Sequence, residues 1–377
     1  MSRIYFPNST QFKRMNESLK AIAGAMNRNV DISTWAGIQK TVRSGIAKSI
    51  LPVGSQLTVE HDDYGVCIYD VVAHDYFKSA IDENAHTMTL MSHDILLRLP
   101  YDNPEAFYYA ESELPAGTYH FTVPTTYGSW MVGTYQFTLP YSLPKGGQLR
   151  ISENSTTPLT SARVIAYVTN TDDFSQQVAD ITTGSSGVNL GTFGVELNHT
   201  HRASNGSDNY KESAIRQFLN SSDTMGKVWT PQTKYDRPPS WLTSLDGFMA
   251  GLNDEFLSVV GTVVVPCSAN NIFESSESMI VKGENYTLAD KFYLASQTEI
   301  FGNNSSDEDN SILLPYYAGA TDADRVKYNL DREELRWWLR SSSSGFATVV
   351  RCVGTDGKLQ DLYPFGNHGV VPLCTIV

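Results

Sequence analysis

Between Leu99 and Ser207, apolar and polar residues alternate in short runs that glycine and proline keep interrupting. Tyr119-His-Phe-Thr-Val123, Tyr135-Gln-Phe-Thr-Leu139, Gln148 to Ser152 and Val164 to Thr169 each put every second side chain on one face. That is the period of a strand and not of a helix. Pro115-Ala-Gly117, Tyr127-Gly-Ser129 and Pro144-Lys-Gly-Gly147 fall between the runs as turn signals. Short strands at such spacing predict a small β-sandwich over 99–207, with loops at Thr182 to Gly187 and Asn198 to Asp208.

The flanks read differently. Phe12, Met15, Leu19, Ile22 and Met26 recur at helical spacing behind Ser9 and Thr10, candidate caps. Trp35, Ile38, Val42, Ile46 and Ile50 repeat the pattern after Asp31 and Ser33. Residues 1–54 are therefore expected to form a helical segment, either packed on its own domain or used for docking and oligomerisation. Gln56 to Val59, Gly65 to Ala73 and Thr87 to Met91 then read as strands. Beyond Asp208, helices are expected at Ser213 to Leu219 and at Trp241 to Asn253. Strands are expected at Thr262 to Pro266, Phe292 to Ser296, Trp337 to Arg340, Ala347 to Val353 and Val370 to Ile376.

Charge narrows the partners. Against 28 Lys and Arg stand 41 Asp and Glu, a net of −13, which repels phosphate backbones and argues against nucleic acid. No basic amphipathic run and no apolar run of membrane-spanning length occurs, so membrane insertion is not expected. The first residues lack a secretory pattern, so synthesis in a cytoplasm without export by the usual route is expected. Twenty tyrosines, with abundant Ser, Thr and Asn, are a composition shared by β proteins and binding surfaces.

Reactive chemistry is sparse. Cys67, Cys267, Cys352 and Cys374 form no C-x-x-C pair and read as small buried hydrophobes. His86 with His93, and His199 with His201, are loose pairs; the latter needs a third ligand before it can hold a metal. Asn303 to Asn310 is acidic but does not fit a calcium loop, and no nucleotide or hydrolase fingerprint appears. Neither a cofactor nor a metal is expected.

Several motifs, taken in order, carry a resemblance. Ile215-Arg-Gln-Phe-Leu-Asn220, Asp290-Lys-Phe-Tyr-Leu-Ala-Ser296 followed by Glu299, Trp337-Trp-Leu-Arg-Ser341 and Gly369-Val-Val-Pro372 resemble the bacterial and phage branch of the C-type-lectin-like fold, related to formylglycine-generating enzymes. Phe218 stands where that family has Trp, and Val371 where it has Arg. Tyr69 to His74 and Thr87 to His93 resemble its first two strands. Trp35-Ala-Gly-Ile-Gln-Lys40 through Pro52-Val-Gly54 is similar to the start of tail proteins in phages of gut Bacillota. The resemblance implies an α+β chain: an N-terminal helical segment at 1–54, a C-type-lectin-like domain split into 55–98 and 208–377, and an inserted β-sandwich-like domain at 99–207.

The function so implied is that of a non-enzymatic phage tail adhesin in the virion. It would be a homo-oligomer, a trimer, that contacts other tail proteins and binds a host-surface glycan or protein. Two alternatives remain: a copper-dependent oxidase using Cys352 and Cys374, and a cytoplasmic or cell-surface carbohydrate-binding protein. The ligand face is expected on the loops between the last strands. Its residues are Ser341, Ser342, Ser343, Ser344, Gly345 and Phe346, then Arg351, then Asp361, Leu362, Tyr363, Phe365, Asn367 and His368. Phe346, Tyr363 and Phe365 are the candidate anchors. Residues 341–347 and 361–368 contain no Lys, Glu, Gln, Met or Trp, the composition expected of positions varied by a diversity-generating retroelement. Between them, Thr355-Asp-Gly-Lys358 is a hairpin-turn signal. Trp337, Trp338 and Arg340 are read as fold-holding residues, with Arg340 paired to an acid.

Overall fold

Where the sequence alternates, the chain pairs. In the computed structural model, which describes residues 30–124, 132–151, 163–168, 176–192, 200–268, 285–302, 310–343 and 349–377, each of those runs becomes a strand. The helix expected over Phe12 to Met26 lies outside these residues.

Two five-stranded sheets build the body. The first runs in the order Gln56–His61, Gly65–His74, Met88–Ser92, Leu373–Ile376, Phe292–Tyr293, antiparallel throughout. Met88–Ser92 is buried along its whole length, so the centre of this sheet is covered on both faces. The second runs Leu359–Leu362, Val350–Val353, Trp337–Ser342, His368–Val370, Leu97–Leu99. Its one parallel pair joins Trp337–Ser342 to His368–Val370. A single hydrophobic core collects residues from Val30 to Tyr101 and from Tyr210 to Ile376. Strands from both ends of the chain therefore close the same sheets.

The helix Trp35–Arg43 belongs to this core. Thr34 caps it by accepting from the Gly37 amide at 3.1 Å, Ile38 and Val42 are buried, and the Trp35 ring packs 4.6 Å from Phe256. Gly45, at φ +74°, ends the periodic run, and Ala47–Ile50 forms a separate turn of helix. A Cβ at Gly45 would meet only the half-exposed His86 ring, which can move aside, so the positive φ is what the break requires of this position.

A second core, from Phe107 to Ala203, lies between two four-stranded sheets. One is ordered Gln176–Asp180, Arg163–Tyr167, Gln148–Ile151, Tyr108–Tyr109; the other Thr182–Thr183, Gly133–Leu139, Gly117–Val123, Val188–Thr192. Buried carboxylates fasten this unit to the body where the chain leaves and returns. Asp102 accepts from the Ser207 amide at 2.7 Å and from the Ala214 amide at 3.1 Å. Arg202 bridges Glu105 at 2.7 Å and Glu212 at 2.9 Å.

The α+β, C-type-lectin-like expectation is corrected by this architecture. The described residues are mostly β, with 36% strand against 16% helix, arranged in small sheets. Helices stay short because turn formers interrupt the periodic runs: among the described residues the longest α-helix has 9 residues. Trp241 to Asn253, expected as a helix, is a series of turns ending in a 3-10 turn at Phe248–Gly251, with Gly247 and Gly251 inside the run. Its apolar residues are spaced for tertiary packing: the Trp241 ring meets Phe218 edge-on at 5.5 Å. Phe292 to Ser296 forms a strand only at Phe292–Tyr293, since Ser296 caps the helix Gln297–Phe301. Of the two expected loops, Thr182 to Gly187 begins with a strand at Thr182–Thr183 and Asn198 to Asp208 contains a helix at Thr200–Asn205; between them lies an unexpected strand, Val188–Thr192.

Candidate functional site

Three aromatic and ionic seams fix the sheet that carries the expected loops. Trp337 and Trp338 are fully buried; their indole N–H groups donate to the carbonyls of Arg325 at 3.1 Å and Leu99 at 2.9 Å. Arg340 is buried too, and its guanidinium makes a two-point pair with Glu299, one contact at 2.6 Å. It also donates to the carbonyls of Leu294 at 2.7 Å and Pro266 at 2.8 Å. Glu299 is in turn the third residue of the capping box that starts Gln297–Phe301. One carboxylate thus caps a helix and neutralises the strand's arginine.

On this frame the expected site residues separate. Ser341, Ser342 and Ser343 are buried, because Trp337–Ser342 continues as a strand to Ser342 instead of stopping at Arg340. They cannot present a ligand surface, nor can buried positions be varied freely. Ser344, Gly345 and Phe346 lie outside the described residues. Arg351 and Asp361, cross-strand partners in the hairpin Val350–Val353 / Leu359–Leu362, are joined by an ion pair at 2.7 Å. Gly357 at φ +74° turns that hairpin. Leu362 is half-buried and packs on the core.

The remaining residues form one exposed corner. Tyr363 and Phe365 are 46% and 40% exposed, with rings stacked 5.6 Å apart at an interplanar angle of 5°. The Gly366 amide donates to the Tyr363 carbonyl at 2.9 Å, so Tyr363-Pro-Phe-Gly366 is a β-turn with proline in its favoured second place. The buried Pro364 contributes a carbonyl that accepts from the amides of Tyr101 at 2.8 Å and Asp102 at 3.1 Å. Two aromatic faces are therefore held toward solvent on a pinned turn. The His368 ring packs edge-on against Trp338 at 5.0 Å; burial and the nearby Arg336 and Arg98 push its pKa down to about 4.

Beside this corner opens a cleft of about 470 Å³ at the junction of the insert and the body. Phe365 and Asn367 contribute one wall. Arg98 arrives from Leu97–Leu99 and donates to the Asn367 carbonyl at 2.9 Å. Arg150 comes from the insert strand Gln148–Ile151, and Arg237 from the segment before Pro238. The Arg237 guanidinium lies 3.2 Å from the Tyr167 ring centroid and donates to Gln148 Oε1 at 2.8 Å. Sequence reading missed this cleft. Its arginines are far apart in the chain, and none sits in a basic run.

The other candidates do not assemble. His86 pairs with Asp75 and His93 with Asp70, each a separate contact. His199 and the side chain of His201 lie outside the described residues. All four cysteines are buried free thiols. Cys352 and Cys374 sit in different sheets; burial pushes the Cys352 thiol up to about 12 and raises that of Cys374 further. A copper centre needs two thiolates that a metal can reach, and neither sulfur fits that requirement. Among the described residues no cluster of three His, Cys, Asp or Glu side chains could hold a metal ion.

A β-rich body with a pinned aromatic turn beside a junction cleft defines a candidate binding site. Residues 176–377 match a protein family described as a domain of unknown function, DUF6273, and the chain belongs to that family. The match spans the last strands of the insert, the cleft residues Arg237 and Trp241, and the aromatic turn. Comparison with curated proteins and with solved structures gave no match.

Proposed function

We propose that this protein is a non-catalytic receptor-binding protein, of the kind carried on phage tails, that attaches to a host-surface ligand through the Tyr363–Phe365 corner and its adjoining cleft. The observation that carries this reading is the stacked, solvent-facing aromatic pair on a turn whose backbone is bonded to the core. Aromatic side chains with few rotors, held in place beforehand, lose little entropy on binding and dominate interface energetics. The likeness of Trp35 to Gly54 to phage tail proteins supports the setting. Assembly as a homo-oligomer on a virion would multiply weak single-site contacts.

The test is attachment of labelled full-length protein to a panel of gut Bacillota. For Tyr363→Ala/Phe365→Ala, attachment should fall at least about thirtyfold, since each lost anchor removes on the order of 2 kcal/mol of binding. The melting temperature should move by no more than a few degrees, because both rings face solvent. Normal attachment by the folded double variant would place recognition elsewhere.

A further inference from the structure

The base of the insert carries a second candidate site, which shares no residue with the Tyr363–Phe365 corner or its cleft. We propose that Tyr109 and Tyr235 form an open aromatic cage for a methylated ammonium group, and that Lys234 of this chain plugs the cage until such a ligand displaces it.

The walls are fixed before any ligand arrives. Tyr108–Tyr109 pairs with Gln148 and Leu149 at the edge of an insert sheet. Tyr108 packs on the insert's core, so Tyr109, the next residue of the strand, faces the other way. Tyr235 is held through its backbone: its carbonyl accepts from the Ala106 amide at 2.8 Å, and its amide donates to Thr233 Oγ1 at 3.2 Å. The two rings stand at 68° to each other, with centroids 6.2 Å apart. The Lys234 ammonium lies over both, 4.9 Å from the Tyr109 centroid and 5.3 Å from that of Tyr235. Both distances are within the range at which a ring face attracts a cation.

Glu111 adds a negative charge at the rim. It pairs with Lys234, and their side chains are 71% and 45% exposed, so the pair is a loose one that a ligand can open. What fixes the segment is the Lys234 carbonyl, which accepts from the Gln148 side chain. Withdrawing the ammonium therefore leaves the walls in place. A methylated cation is the occupant that can win this position. Lys234 is tethered beside the cage, and its effective concentration outcompetes a free primary ammonium. A primary ammonium is also strongly hydrated and spends its N–H groups on water and on Glu111. A trimethylammonium has no N–H to lose and presents its charge through apolar methyl groups, a form that ring faces take well. The net charge of −13 attracts cations of every kind; the paired rings select among them.

Calorimetric titration of the full-length protein tests this, with choline, Nε-trimethyllysine and 3,3-dimethylbutanol, the neutral isostere of choline, as probes. Lys234→Ala removes the plug and should bind at least one methylated cation about fivefold or more tightly than wild type, at an unchanged melting temperature. In that background Tyr235→Leu, which keeps bulk but loses the ring, should weaken binding about tenfold. Glu111→Gln, a change at an exposed side chain, should weaken it about threefold and leave the fold intact. Whichever of choline and trimethyllysine binds more tightly tells a headgroup source from a modified side chain. Equal binding of dimethylbutanol, no gain from Lys234→Ala, or undiminished binding by Glu111→Gln overturns the proposal, and Lys234 then only braces the two rings. These three outcomes decide the matter even if Tyr235→Leu fails to fold.

Discussion

Arginine occupies two contrasting settings in the second five-stranded sheet and its surroundings. Arg340, in the central strand, is fully buried, and Glu299 closes its charge from across the core. Arg98, in the edge strand, is exposed and bonded to a backbone carbonyl, on the wall of a cleft it shares with Arg150 and Arg237. The first arrangement joins strand to helix and leaves nothing for a ligand. The second leaves one guanidinium, that of Arg98, at the surface. Residue type is the same in both; burial and the placement of one carboxylate separate the closed pair at Arg340 from the surface cation at Arg98.

This contrast can be broken most severely at Glu299. Glu299→Ala strands Arg340 in the core and removes the helix cap, so unfolding free energy should drop by about 3–5 kcal/mol, enough to prevent folding of a marginal chain. Urea denaturation measures it. A loss below about 1 kcal/mol would mean that water reaches Arg340 and that the seam is not closed. Acid should act next, at the cleft's edge. The folded pKa of His368, about 4, lies below the unfolded value of roughly 6.5, so the unfolded chain binds more protons between the two. Its stabilising contribution is complete above pH 6.5 and lost as pH falls through about 4, on the order of 2 kcal/mol after allowance for partial exposure. Comparing the urea midpoints of wild type and His368→Gln at pH 4 and pH 7 isolates that term; parallel pH dependence in both would disprove it.

Smaller effects sharpen the boundary between the two settings. Asp361→Ala breaks the ion pair with Arg351 on the hairpin, and stability should fall by no more than about 1 kcal/mol because both partners reach solvent. A loss like that at Glu299 would show that the hairpin belongs to the closed seam. Smallest of all, Arg98→Gln should change unfolding free energy by less than about 0.5 kcal/mol. If it instead unfolds the protein, Arg98 holds the edge strand in place, and the cleft loses its accessible cation.

Period-two alternation was enough to place most strands. Gly65–His74, Gly117–Val123, Gly133–Leu139 and Gln148–Ile151 start or stop within two residues of the expected runs; in Gly117–Val123 and Gly133–Leu139 the alternating burial of the two faces is written directly into the residue order. The pairing of Arg340 with an acid, the fold-holding role of Trp337 and Trp338, and the exposure of Tyr363 and Phe365 were also legible, since residue chemistry and local spacing carry them. Helix was overread at Trp241 to Asn253: apolar spacing there records which side chains reach a distant core, and glycine interrupts the run. The three serines after Arg340 looked like loop but are buried in a strand and the residue that follows it, a consequence of neighbouring strands that composition does not reveal. The cleft lay wholly beyond sequence reading. Arg98, Arg150 and Arg237 come together only because the insert is clamped to the body through Asp102, Glu105 and Arg202, and no local pattern encodes a meeting of segments so far apart.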